Sequence, residues 1–286
     1  MKTVIITGGN SGLGFETAKK IAADPEYRII LACRNAEKAE KARAEIAKET
    51  GNEHIEARIL DTSSLASVRA FAAGVTEEDG QVYALVNNAG ISPQGNSGTT
   101  EEGFELVFAT NYLGHFLLTQ LLLPVMAEDG RIVNITSDMH NPPRGSLVWT
   151  GTDSLAHPKE DDPRKYSYSK LCMIYLTHEL SERLEKEGRH IAVNSFNPGF
   201  MADTNFSKGG GKARELMVKA TMPDRFGTLA DSSDALAAIL TQEEYGKASG
   251  EYFDRSTNTA KSSELSYSKE NAEELWDKSM EYVGLK

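Results

Sequence analysis

Tyr166 and Lys170 stand four residues apart in the stretch Tyr166-Ser167-Tyr168-Ser169-Lys170. On a helix, positions i and i+4 share a face, so the phenol and the ammonium point together while Tyr168 points elsewhere. A phenol with its ordinary pKa of about 10 is a poor acid or base near neutrality. A neighbouring ammonium favours the phenolate and draws that value down, which fits the pair for general acid–base catalysis. Tyr-x-x-x-Lys alone is a common structural spacing, so its meaning depends on what the chain places beside it.

A second chemistry-bearing stretch is Thr7-Gly8-Gly9-Asn10-Ser11-Gly12-Leu13-Gly14, between an apolar run and a helical one. A tight turn with close backbone approach needs residues without a Cβ, and the amides at the following helix start can meet a pyrophosphate. The spacing is G-x-x-x-G-x-G, unlike the G-x-G-x-x-G of other dinucleotide folds. At the end of the second apolar run, a carboxylate would hold the ribose hydroxyl of NAD, whereas a cation would hold the extra phosphate of NADP. The run ends Leu31-Ala32-Cys33-Arg34-Asn35, with no Asp or Glu before Glu37. Arg34 can bind a phosphate bidentately, so NADP is the expected cofactor. Asp61, with Thr62 beside it, follows the third run. Asp61 has two readings, an acceptor for an adenine amino group or a cap for the helix starting near Ser64.

The elements that must position these residues alternate along the chain. Strands are expected over 3–7, 28–33, 55–60, 82–87, 131–136 and 191–197, with a last one near 251–253. Helices are expected near 12–23, 36–50, 64–78, 101–127, 164–188 and 229–241. Near-continuous Val/Ile/Leu strands separated by helices predict an α/β doubly wound parallel sheet of the Rossmann type, about seven strands covered on both faces. Ligands then bind outside the carboxyl ends of the strands. The whole chain, 1–286, reads as one domain. Two long stretches, 138–163 with four prolines and 200–226 with Gly209-Gly210-Gly211, read as substrate-side loops. Trp149, Phe200, Met201 and Phe206 are either an apolar wall or packing anchors; Met217, Met222 and Phe226 are either a helical lid or ordinary core.

Composition narrows the class. With 286 residues, 40% apolar and 26% charged, the chain can bury a proper core. Its formal charge of −11 argues against an electrostatic footprint for nucleic acid or an anionic membrane. Cys33 and Cys172 form no disulfide framework and no metal-ligand spacing. Met1-Lys2-Thr3 runs straight into a strand, without the shape of a signal peptide. The apolar stretch 116–126 contains Thr119, Gln120 and Pro124 and is shorter than the ~20 residues a bilayer needs. A cytoplasmic protein is expected.

Together the Thr7–Gly14 turn, Asn87-Asn88-Ala89-Gly90, Asn111, Ile135-Thr136-Ser137, Tyr166 with Lys170, and Pro198-Gly199 resemble the short-chain dehydrogenase/reductase family over nearly the whole chain. The resemblance implies these roles. Ser137 polarises the substrate oxygen, and Tyr166 exchanges the proton with it. Lys170 lowers the Tyr166 pKa and binds the nicotinamide ribose, while Asn111 holds a water in a proton relay behind Lys170. Thr7, Gly8, Asn10, Ser11, Gly12, Leu13 and Gly14 cradle the cofactor. Asn88, Ala89 and Gly90 shape its cleft, and Pro198, Gly199, Phe200 and Thr204 border the nicotinamide. Read as residues alone, Ser137 is equally a turn cap and Asn111 a helix-interior group bonding to backbone.

Ala32-Cys33-Arg34, Glu102-Gly103-Phe104-Glu105 and Asn111-Tyr112-Leu113-Gly114-His115-Phe116 are similar to the retinol dehydrogenase and protochlorophyllide reductase branch. A light-dependent protochlorophyllide reductase is one alternative. Against it, the position after Pro-Gly is Phe200 where those enzymes carry cysteine, and 138–163 lacks their large insertion. The implied reaction is NADP(H)-dependent interconversion of a small-molecule carbonyl and its alcohol. A non-catalytic NADP(H) sensor is the alternative from another class, although it has no need of Ser137, Tyr166 and Lys170 together. The family often pairs through the helices holding Asn111 and Tyr166, so a homodimer is expected alongside a monomer.

Overall fold

Runs rich in Val, Ile and Leu pair side by side in a computed structural model of the chain, which describes residues 1–78, 80–143, 145–201, 216 and 218–286. The strands are β1 (Lys2–Thr7), β2 (Tyr27–Cys33), β3 (Ile55–Ile59), β4 (Val82–Asn87), β5 (Met126–Ile135), β6 (Ala192–Asn197) and β7 (Tyr252–Asp254). They form a 7-stranded sheet in the order β3-β2-β1-β4-β5-β6-β7, parallel at every pairing. Side chains alternate across a strand, and the core divides accordingly. Ile5 enters one apolar cluster with Phe116, Leu171 and Trp276, while Val4 and Ile6 enter the other with Leu31 and Leu236. The chain therefore needs helices on both faces, and has them.

Those helices are α1 (Gly12–Ala22), α2 (Ala36–Thr50), α3 (Leu65–Glu78), α4 (Leu106–Val125), α5 (Thr152–Ala156), α6 (Lys165–Lys186), α7 (Leu229–Thr241) and α8 (Lys269–Tyr282). After β1 the chain turns to the face of α1, and after β4 it reaches the opposite face through α4. The neighbours β1 and β4 thus diverge at their carboxyl ends and open the crevice in which such folds bind ligands.

Three elements differ from expectation. First, α4 is a composite: an α-turn at Leu106–Phe108, a π segment at Ala109–Leu113, an α-helix at Gly114–Leu122 and a 3-10 turn at Leu123–Val125. It begins where Glu105 accepts the Phe108 amide at 2.7 Å. Its 20 residues are long and apolar enough to cross a membrane, unlike the shorter stretch read from sequence, yet 78% of that window is buried inside the protein. Second, β5 starts at Met126, inside the stretch expected to be helical, and reaches its main register with β4 only after an irregularity. Third, α8 was not assigned from sequence. Its Ala272, Leu275, Trp276 and Ser279 are buried at helical spacing, and the Trp276 ring meets Phe116 edge-on at 5.1 Å. The stretch 138–163 is not wholly loop, for it contains a 3-10 turn at Asp138–His140 as well as α5. Thr204, Phe206, Gly209–Gly211 and Met217 lie outside the described residues.

Candidate active site

The nucleotide turn is built by what the strand ends allow. Gly8 has φ +66, and a Cβ there would stand 3.1 Å from the Ala89 Cα; a Cβ on Gly14 would meet the Asn88 amide nitrogen at 2.7 Å. The backbone comes close because the side chains are absent. Asn88 Nδ2 donates to the Thr7 carbonyl at 2.7 Å. The Asn88 and Ala89 amides both donate to Thr7 Oγ1 at 2.8 Å. Ser11, the N-cap of α1, makes no side-chain capping bond, so its side chain does not occupy the amides at that helix start, where an anion site forms. Asn10 and Gly12 lie partly exposed in the same turn, whereas Leu13 turns inward and joins the core.

Arg34, after β2, is exposed and has no ion-pair partner among the described residues. Asp61 does not cap α3: one carboxylate oxygen accepts the Ser63 amide at 2.9 Å and its hydroxyl at 2.6 Å, in a turn ahead of the helix. The cap is Ser64, whose carbonyl accepts the Val68 amide and whose Oγ accepts the Ser67 amide. Thr62 is buried beside Asp61.

At the other end, α6 carries Tyr166 and Lys170 onto one face. The Lys170 Nζ lies 5.6 Å from the centre of the Tyr166 ring and donates to the Ile135 carbonyl at 2.9 Å. Lys170 is 4% exposed, and burial lowers its pKa to about 8. Tyr168 points away, its hydroxyl donating to the Val148 carbonyl at 2.9 Å. Ser137 follows β5 and caps the 3-10 turn: its Oγ accepts the Met139 amide at 3.2 Å and donates to Asp138 Oδ1 at 3.3 Å. The turn packs against α6, which brings Ser137 to the helix of Tyr166 and Lys170.

Asn111 falls inside the π segment of α4. An extra residue per turn there re-aims the chain, a device frequent at functional sites. Its Oδ1 accepts the Ile91 amide at 2.8 Å, and its Nδ2 donates to the Ile91 carbonyl at 3.2 Å and to Ser169 Oγ at 3.0 Å. Ser169 passes its own proton to the Tyr166 carbonyl at 2.8 Å. Both amide protons of Asn111 are thus engaged, one on the Ile91 carbonyl and one on Ser169 of α6. A Cβ on Gly90 would lie 3.3 Å from Asn111 Oδ1 and 3.8 Å from Lys170 Nζ, so the cleft residue, the π segment and the lysine adjoin.

The family model for short chain dehydrogenase matches residues 2–214. The chain belongs to the short-chain dehydrogenase family. It is 38% identical to human retinol dehydrogenase 13 over 290 residues, covering 99% of this chain and 85% of that protein, and is related to the retinol-dehydrogenase-like branch. Family membership makes it an oxidoreductase. Among solved structures, an uncharacterised protein from Mycobacterium paratuberculosis superposes with a TM-score of 0.77 at 29% identity, covering 99% of this chain and 94% of that one. A short chain dehydrogenase from Burkholderia cenocepacia in complex with NADP gives a TM-score of 0.71 at 24% identity, covering 89% and 96%, a likeness of fold.

The segment Pro198–Phe200, expected from the sequence to border the nicotinamide, is tied down in this dehydrogenase. Gly199 N donates to Asn197 Oδ1 at 3.0 Å, Phe200 N donates to the Arg225 carbonyl at 2.8 Å, and Ser232 Oγ donates to the Pro198 carbonyl at 2.9 Å. Sequence reasoning missed several residues at the site. Asp138 is one: burial raises its carboxyl pKa against the pull of Arg225, whose Nε lies 3.7 Å away. His140 is another, joining the Ser137 carbonyl (2.6 Å) to the Ser263 amide (3.0 Å). The spacing of His115, four residues after Asn111 on a helix, was a signal left unused.

Proposed function

We propose that this dehydrogenase interconverts a small-molecule carbonyl and its alcohol with NADP(H), using Tyr166 as the proton donor and acceptor. One observation carries the reading: a buried ammonium, Lys170, fixed by a backbone carbonyl beside the Tyr166 ring. The cofactor fits the residues present. The Gly8–Gly14 turn is a cradle that a Cβ would fill, and Arg34 is a cation free to meet a phosphate where a carboxylate would repel it. Thr7, Asn10, Ser11, Gly12, Asn88, Ala89, Gly90 and the Pro198–Phe200 segment complete that surface, with Thr204 and an adenine contact from Asp61 and Thr62 as further expected members. Bound NADPH supplies the hydride.

In the reduction, Ser137 turns its proton from Asp138 to the substrate oxygen and draws charge onto it. Tyr166 delivers the proton that completes the alcohol. Lys170, ionised at neutral pH, stabilises the phenolate left behind, and Asn111 holds α6 in place through Ser169. Any relay water there donates to Asn111, since its amide protons are used. The oxidation runs through the same groups in reverse.

The whole chain works as one unit, with 138–163 and 200–226 bordering the substrate. Buried, unpaired Cys33 and Cys172 suit a reducing cytoplasm. Tyr112 bonds Ser279 at 2.8 Å, Phe116 packs on Trp276, and Arg183 lies 4.4 Å over the Trp276 ring. Since α8 thereby covers the face of α4 and α6, a homodimer would need another face.

The test is NADPH consumption over aldehydes, ketones, quinones and retinal, repeated with Tyr166→Phe. Turnover should fall about a thousandfold, as general acid–base loss does, with NADPH binding retained. Unchanged turnover in a folded variant overturns the mechanism; tight NADPH binding with a silent wild type favours a sensor.

A further inference from the structure

His115 takes no part in the scheme above, yet it lies fully buried one turn after Asn111. Its Nδ1 stands 3.0 Å from the Asn111 carbonyl and its Nε2 2.9 Å from Thr7 Oγ1. A carbonyl only accepts, so Nδ1 carries the proton and Nε2 presents a lone pair. Thr7 completes the assignment. Its oxygen accepts the Asn88 and Ala89 amides, which occupies both lone pairs, and its proton has Nε2 at 2.9 Å against the Val86 carbonyl at 3.3 Å. The imidazole is therefore neutral and its tautomer is fixed from both ends. Burial agrees, lowering the His115 pKa to about 4 against the bond to Asn111, with the Lys170 charge adding a smaller push.

We propose that His115 is a positioning residue that ties the nucleotide turn at Thr7 to the backbone of Asn111, joining the two ends of the active site through one neutral imidazole. The connection continues beyond Asn111. From Thr7 a line of hydrogen bonds runs through His115 to Asn111, through the Asn111 amide to Ser169, and from Ser169 to the Tyr166 carbonyl. A leucine would fill the same space, but it would leave the Thr7 proton only the longer bond to the Val86 carbonyl at 3.3 Å and the π segment without this tether. This inference rests on reading the site as an NADP(H)-dependent active site.

Two substitutions separate the two bonds. His115→Asn can place an amide donor where Nδ1 was, keeping the Asn111 bond while reaching nothing at Thr7. His115→Gln can place an acceptor near Thr7 and loses the donor to Asn111. NADPH affinity is read by fluorescence titration, turnover with the best carbonyl of the panel, and folding by thermal melting with and without NADPH. The Asn variant should weaken NADPH binding about fivefold and leave kcat within about twofold, the scale of one neutral hydrogen bond. The Gln variant should lower kcat about tenfold and leave the NADPH Kd within about twofold. Variants that match wild type, or that lose affinity and kcat together in step with melting temperature, overturn the proposal. A wild type that neither binds NADPH nor reduces any carbonyl overturns the active-site reading itself, and the proposal with it.

Discussion

The glycine turn after β1 and the 138–163 stretch, which we propose flank one site, are held in unlike ways. The turn is fixed by the strands it joins: Gly8 N donates to the Ala32 carbonyl at 2.8 Å, and Thr7 receives Asn88 and Ala89 from the end of the neighbouring β4. The substrate side is held from the far end of the chain. Glu274 on α8 accepts the Trp149 indole at 2.5 Å and the Thr152 amide at 2.8 Å, across 125 and 122 residues. Ser263 reaches His140 across 123 residues. The cofactor end is therefore a property of the sheet. The proposed substrate end is held instead by side chains of the C-terminal segment, as expected of binding loops on a rigid scaffold.

The sharpest test of the cofactor half is Arg34→Asp. It removes a cation that can bind phosphate bidentately and installs a repelling charge, so NADPH affinity should fall about a hundredfold, in line with charged hydrogen bonds. NADH use should change little. Equal losses for the two cofactors would show that Arg34 does not read the phosphate.

Between the halves sits Lys170, and pH probes it. Its pKa is lowered to about 8 by burial, so the ammonium is present below that value and is lost as pH rises through it. Reduction by the wild type should therefore decline above pH about 8, by roughly tenfold one unit beyond. Lys170→Arg keeps its charge throughout that range. The variant should be slower overall but lack the falling limb in a profile of kcat against pH. A limb that persists in it assigns the titration elsewhere.

The same division decides what was legible in the sequence. β1, β2 and β4 declared themselves through apolar runs, and the turn through glycines that its positive φ and close backbone approach require. Tyr166 and Lys170 were legible as an i, i+4 pair. The π segment was not, since nothing in Ala109–Leu113 marks an extra residue in the turn; the tertiary bonds of Asn111 to Ile91 and Ser169 accompany it. Nor was α8, whose apolar spacing is ordinary until Trp276 is seen against Phe116. Asp138 and Glu274 are surface-type residues by composition, and only the folded chain gives them partners. Asp61 was open to a capping reading, but it closes a turn on Ser63 while Ser64, three residues on, takes the cap of α3.

Glu274→Gln tests the substrate half most gently. The amide keeps one acceptor oxygen, so one of the two bonds to Trp149 and Thr152 survives and the other is lost. Trp149 also meets the Tyr175 ring edge-on at 5.3 Å, and Tyr168 still holds the Val148 carbonyl, so the stretch loosens without detaching. The KM for the carbonyl should rise about threefold, the scale of one net hydrogen bond, while the NADPH Kd and the kcat at saturating carbonyl stay as in wild type. A change in NADPH affinity would break the comparison directly. It would mean that α8, through the 138–163 stretch, also sets the nucleotide turn, and that the two halves are one mechanical unit.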